Sequence, residues 1–143
     1  MITPGLAGRW NKSGQQVIYT AESIPLAFME NMMRRKGIGF NDQFAIMFIN
    51  VPKALAMTEI RVEDLEKGWR DHHNYSICQN AADKWYNNLL SPVLKVPSAV
   101  LSTNYNYVIN AQHPQYRKIK IVLVTGLMPD ERIEEILKKY ESR

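Results

Sequence analysis

Gly8-Arg9-Trp10-Asn11-Lys12-Ser13-Gly14, the run Gln16-Val17-Ile18-Tyr19-Thr20 and the segment Ser23-Ile24-Pro25-Leu26-Ala27-Phe28-Met29-Glu30 decide how this chain reads. Pro4, Gly5, Gly8 and Gly14 punctuate residues 1–15 as loop. The β-branched and aromatic content of 16–20 predicts a short strand. Ser23 is a helix cap and Pro25 is tolerated in a first turn, so a helix is predicted from Ile24 to Lys36, with Gly37 ending it. Leu26, Phe28, Met29, Met32 and Met33 fall on one broad apolar arc of that helix, with Glu30 at its edge. The stretch therefore carries three chemistries close together. Arginine grips phosphate in a bidentate manner, tyrosine offers a flat apolar face with a polar tip, and a carboxylate steadies developing positive charge. An anionic, aromatic, sugar-bearing ligand suits that set. From the helix alone, Glu30 reads first as one half of an exposed i,i+4 pair with Arg34.

Working outward, residues 43–51 form a nearly continuous apolar run, Phe44-Ala45-Ile46-Met47-Phe48-Ile49, expected to be a central strand covered on both faces and ended by Pro52. Residues 55–62 read as a weaker strand and 63–69 as a helical turn. A helix is expected over Ser76–Leu90, with Cys78, Ala81, Ala82, Trp85 and Leu89 facing inward. Pro92–Leu101 is extended, Tyr105–Asn110 is a strand, and residues 110–114 are a turn. Ile119, Ile121, Val122, Leu123 and Val124 predict a core strand over 118–125. Pro129-Asp130-Glu131 opens a last helix that Lys138-Lys139 closes, in the order the helix dipole favours. Strands interrupted by few helices point to an α+β domain with a mixed sheet and flanking helices.

The 143 residues suit a single domain, 1–143, with a real core. A single cysteine, Cys78, excludes an intrachain disulfide and a cysteine-rich zinc module, and reads as a small core residue. The adjacent His72 and His73 do not face one way on regular structure and have no third ligand nearby, so no metal is expected. His113 reads as a loop histidine. The net charge of +4 mildly favours anionic partners, but the Arg34-Arg35-Lys36 cluster reads first as cations opposing a negative helix end, and only weakly as a nucleic-acid patch. Neither a signal peptide nor a membrane span is expected, and the cysteine usage fits the cytoplasm. There is no Gly-rich dinucleotide fingerprint and no phosphate-loop Gly-Lys-Ser/Thr.

Five segments in order resemble the RES domain family, named for its Arg, Glu and Ser. They are Ala7-Gly8-Arg9-Trp10-Asn11 with Gly14, Val17-Ile18-Tyr19-Thr20, Leu26-Ala27-Phe28-Met29-Glu30, Leu94-Lys95-Val96-Pro97-Ser98-Ala99-Val100, and Asn106-Tyr107-Val108-Ile109-Asn110 with His113-Pro114. The resemblance implies a fold similar to the diphtheria-toxin type ADP-ribosyltransferases. It also implies a bacterial toxin that breaks the nicotinamide–ribose bond of NAD, with water, phosphate or a protein side chain as acceptor. It implies a cognate helix-turn-helix antitoxin of the Xre type as partner, without direct nucleic-acid contact, and a homo-oligomer is compatible with it. Carried over residue by residue, the catalytic set is Arg9, Tyr19, Glu30 and Ser98, and the NAD-binding set is Gly8, Arg9, Trp10, Asn11, Tyr19 and Ser98. Arg9 would hold pyrophosphate, Tyr19 would wall in nicotinamide, Glu30 would face the ribose and Ser98 would orient the ligand.

The chain departs from the family pattern at Ala7, at Ala81-Ala82-Asp83-Lys84 before Trp85, and at Ala111. Family members also carry a strand, with its own Tyr-Arg, ahead of the Gly-Arg-Trp motif, whereas Arg9 lies eight residues from Met1. That strand is expected to be missing here. The alternative reading is a catalytically degenerate RES-like binding protein.

Overall fold

The computed structural model describes residues 4–35 and 44–128, together with 130–133, 135 and 139. The expected close of the first helix at Gly37 and most of the last helix lie outside these residues. The first strand, β1, runs Val17–Ala21 and is followed by α1, Ile24–Arg34. Ser23 caps α1 as expected: its backbone is extended and its Oγ accepts from Leu26 N at 3.4 Å. Next come β2 (Ala45–Asn50), β3 (Met57–Glu59), α2 (Ser76–Asn87), β4 (Val93–Pro97), β5 (Tyr105–Asn110) and β6 (Lys120–Gly126). Short 3-10 turns cover Val62–Asp64 and Pro114–Lys118.

The main sheet has the order β1-β5-β4-β3. The β1/β5 and β5/β4 pairs are antiparallel and β4/β3 is parallel, so the sheet is mixed and the α+β expectation holds. Residues directly opposite each other point to the same face. Val17, Tyr19 and Ala21 therefore share one face with Asn106, Val108 and Asn110, and with Leu94 and Val96. On that face Leu94, Val96, Val108 and Val17 pack with Trp10, Trp69, Cys78, Ala82 and Trp85. Val93 and Ile109 look the other way and pack with Leu55 and Ile119. The sheet is thus covered on both sides, and its central strand β5 is fixed by two cores.

Two expectations are corrected. The segments around 43–51 and 118–125 are strands, but not central ones. β2 and β6 pair with each other as a separate two-stranded antiparallel ribbon. Its register shifts between Phe48 and Ile49, leaving Val122 as the extra residue of a bulge. Only its base joins a core, through Ile49 and Ile119. Along the rest, Met47, Phe48, Ile121, Val122, Leu123 and Val124 are exposed. The second correction concerns α2. Cys78, Ala82 and Trp85 face inward at i, i+4 and i+7, but Ala81 and Leu89 are exposed. The helix stops at Asn87, and Leu89 turns to φ 49, so it no longer follows the helical phase.

Candidate functional site

The loop ahead of β1 is built around Asn11, which is 1% exposed. Its Nδ2 donates to the carbonyls of Leu6, Lys12 and Gln15, and its Oδ1 accepts the Tyr19 hydroxyl at 2.8 Å. The same hydroxyl accepts from Trp10 N at 2.9 Å. Gly8 and Asn11 form an isolated bridge, and Gln79 Nε2 on α2 ties both of their carbonyls. Gly8 is required by close approach: a Cβ there would sit 2.7 Å from Tyr19 Oη and 2.8 Å from Asn11 Oδ1. Trp10 is buried against Trp69, with ring centroids 6.3 Å apart. Trp10 and Asn11, both expected at the ligand, are thus turned into the fold.

Arg9 reaches across to the segment after the 3-10 turn. Its Nη1 donates to Trp69 O at 2.6 Å and to Asp71 O at 3.1 Å, and its Nη2 donates to Arg70 O at 3.4 Å. The guanidinium lies over the Tyr75 ring, 4.6 Å from its centroid. The guanidinium also lies within hydrogen-bonding reach of the Cys78 thiol. Arg9 is therefore a staple for residues 69–71 as well as a charge at the surface. Its partners lie some sixty residues away, and no local signal in the sequence marks them.

Tyr19 is 38% exposed as a residue, while its hydroxyl is tucked under the loop. Burial of that hydroxyl pushes its pKa from 10.0 up to about 12, against smaller lowering effects from the Trp10 N–H and the charges of Arg34 and Arg9. The phenol stays neutral near neutral pH and does not act as a base there. What it can offer a ligand is the ring face.

Glu30 lies one turn after Leu26, the buried residue of α1. It does not turn to Arg34. Its Oε1 accepts from Ser98 Oγ at 2.7 Å and from Asn106 Nδ2 at 2.5 Å. Among the described residues Oε2 accepts no hydrogen bond, and the side chain is half-buried. Ser98 lies just past β4, where its N donates to Asn104 O at 2.9 Å and extends the β4/β5 pairing. Fully buried, its Oγ accepts from Val100 N at 3.1 Å and Leu101 N at 3.0 Å while donating to Glu30. Both lone pairs and the proton are then in use. Ser98 holds Glu30 in this structure, where the sequence reading had it hold the ligand. The structure thus joins Glu30 to Ser98 directly, and Tyr19 to Asn11 and Trp10.

Asn106 was quoted in the family motif but given no role. The available signal was an asparagine in phase with Val108: Asn106, Val108 and Asn110 share one face of β5. Tyr75 and Gln79 had no signal that could have singled them out.

A family model described as RES domain matches residues 3–133. A protein named Toxin Res from Pseudomonas putida is 26% identical over 130 residues, covering 90% of this chain and 86% of its own length. A Prs ADP-ribosylating toxin from Sphingobium sp. is 28% identical over 128 residues, covering 88% of this chain and 80% of its own. Among solved structures, a chain of the M. tuberculosis MbcT–MbcA toxin–antitoxin complex superposes with a TM-score of 0.71 at 19% identity, over 94% of this chain and 79% of that one. At that identity the likeness speaks for the fold.

Proposed function

The chain belongs to the RES domain family, and on that premise we propose that it is the toxin of a toxin–antitoxin system and breaks the nicotinamide–ribose bond of NAD. The observation that carries the reading is the Glu30 carboxylate, held through one oxygen by Ser98 and Asn106 and, among the described residues, uncommitted at the other. When the glycosidic bond breaks, its electron pair goes to the nicotinamide nitrogen, which becomes neutral. Positive charge then develops on the ribose, as in glycoside cleavage generally. A fixed carboxylate beside that carbon lowers the barrier. Glu30 is the catalytic residue in this reading. The exposed face of Tyr19 stacks on the planar base, and Arg9 supplies charge and N–H donors to the pyrophosphate. Gly8 lets the loop close over the Tyr19 hydroxyl. Trp10, Asn11 and Ser98 act as support.

Names borne by relatives favour the same class, since one is an ADP-ribosylating toxin and another a member of a toxin–antitoxin complex. The acceptor, whether water, phosphate or a protein side chain, is set by what reaches the ribose carbon. A cognate antitoxin is the proposed partner, of the Xre helix-turn-helix type by family resemblance. The test is free nicotinamide release from NAD by purified protein, with and without phosphate. Release well above that of Glu30→Ala is expected. Equal release by the two proteins removes the enzyme reading and leaves the degenerate binding protein.

A further inference from the structure

Asn106 is a half-buried polar residue near the start of β5, on the face that Val108 and Asn110 share. Its neighbours on that face are Val96 across β4 and Ala21 across β1. Its Nδ2 donates to Glu30 Oε1 at 2.5 Å. Its Oδ1 is buried and, among the described residues, has no hydrogen-bond partner, a state that native side chains rarely keep without a reason. Turning the amide over would not cure it. The carbonyl oxygen would then face the carboxylate of Glu30, and two acceptors would meet with no proton between them. The carboxylate therefore dictates which way the amide points, and the unpaired oxygen is the consequence.

We propose that Asn106 is a positioning residue for the reaction: with Ser98 it pins one oxygen of Glu30, so that the other is presented to the ligand at a fixed angle. This rests on the NAD reading above for its catalytic meaning, but not for its geometry. One donor leaves a carboxylate free to swing about that bond. Two donors from different strands on a single oxygen, Ser98 after β4 and Asn106 on β5, fix its plane as well. Ser98 is in turn locked by two backbone N–H groups, and Asn106 by the pairing of β5 on both sides. The carboxylate is thus referred to the backbone of the sheet, while the helix that carries it supplies only reach. That is the arrangement a reacting group needs if it is not to lose rate through misplacement.

The experiment compares wild type, Asn106→Ala, Asn106→Asp and Glu30→Ala in NAD turnover, with melting midpoints to confirm folding. Asn106→Ala is expected to lower kcat by about ten- to a hundredfold, with KM for NAD within about threefold of wild type. Asn106→Asp, the same shape with a like charge against Glu30, is expected to lose more than Asn106→Ala. A kcat within twofold of wild type for Asn106→Ala, or an Asp variant more active than the Ala variant, overturns the proposal. A second measurement does not need turnover: the side-chain amide protons of Asn106 observed by NMR in wild type and Glu30→Ala. A downfield proton that moves when Glu30 is removed is expected. Unmoved resonances overturn the proposal even if NAD is cleaved. Absence of cleavage by wild type, with the resonances moving, refutes the NAD reading while the pinning of Glu30 stands.

Discussion

Tyr19 shows how little of a residue's work is written beside it. Its place on a strand could be read from Val17-Ile18-Tyr19-Thr20, and so could a ring available for stacking. Its hydroxyl, however, closes the Gly8–Asn11 loop by accepting from Trp10 N and donating to Asn11 Oδ1. Tyr19→Phe leaves those two groups unpaired beneath the ring, and is expected to cost about 1–3 kcal/mol at neutral pH in urea unfolding. The phenol also makes a pH prediction. Below pH 10.0 the folded and unfolded chains both hold the proton, and the contribution of the neutral hydroxyl is fully present. Above it the unfolded chain releases the proton while the folded chain keeps it until about 12. The folded state then binds more protons, so stability falls as pH rises through that window. Tyr19→Phe should remove this part of the fall, and parallel stability curves for the two proteins across pH 10.0 to 12 would refute it. Arg9 and Asn11 illustrate the same limit. Their residue types suggested a ligand, but most of their hydrogen bonds go to backbone carbonyls, those of Arg9 some sixty residues away and those of Asn11 within its own loop.

At the scale of elements, local signals served well where they were local. The start of α1 followed from Ser23 and Pro25, and the inward stripe of α2 from Cys78, Ala82 and Trp85. They failed where an element stopped short: Leu89 kept an apolar identity after the helix had ended. The edge position of Glu30 on α1 was also legible, but its partner was not. A helical wheel offers only Arg34, whereas the donors come from the sheet beneath. The buried residue of α1 is Leu26, 1% exposed. Leu26→Ala should cost about 2–4 kcal/mol, since a cavity opens under a helix with few other anchors. If this side chain also sets the height of Glu30 over Ser98, nicotinamide release should fall more steeply than the folded fraction does. Release that tracks the folded fraction alone would mean that Ser98 and Asn106 suffice to place Glu30.

For the whole molecule, the apolar runs near 45–50 and 120–126 carried the most misleading signal in the chain. Unbroken apolarity says that both faces of a strand gain from being covered. It does not say what covers them, and here the main sheet closes without these strands. β1, β5 and β4 already fill both faces of the main sheet through their own cores, and β2 and β6 pair with each other. The ribbon then joins the body at Ile49 and Ile119 and leaves Met47 opposite Val124, 57% and 53% exposed. The two interpretations differ in their cost. If the pair were core, polar substitution would unfold the protein, as removing core methyl groups does. On an open ribbon, Met47→Thr and Val124→Thr keep strand propensity while losing little burial, so each should change stability by no more than about 0.5 kcal/mol. In a domain of this size that is a melting shift of about 1–2 °C. Val108→Ala, on β5 of the main sheet and wholly buried, supplies the contrast and should lose about 1–3 kcal/mol. Comparable losses at all three positions would show that the ribbon is covered in the folded protein in solution.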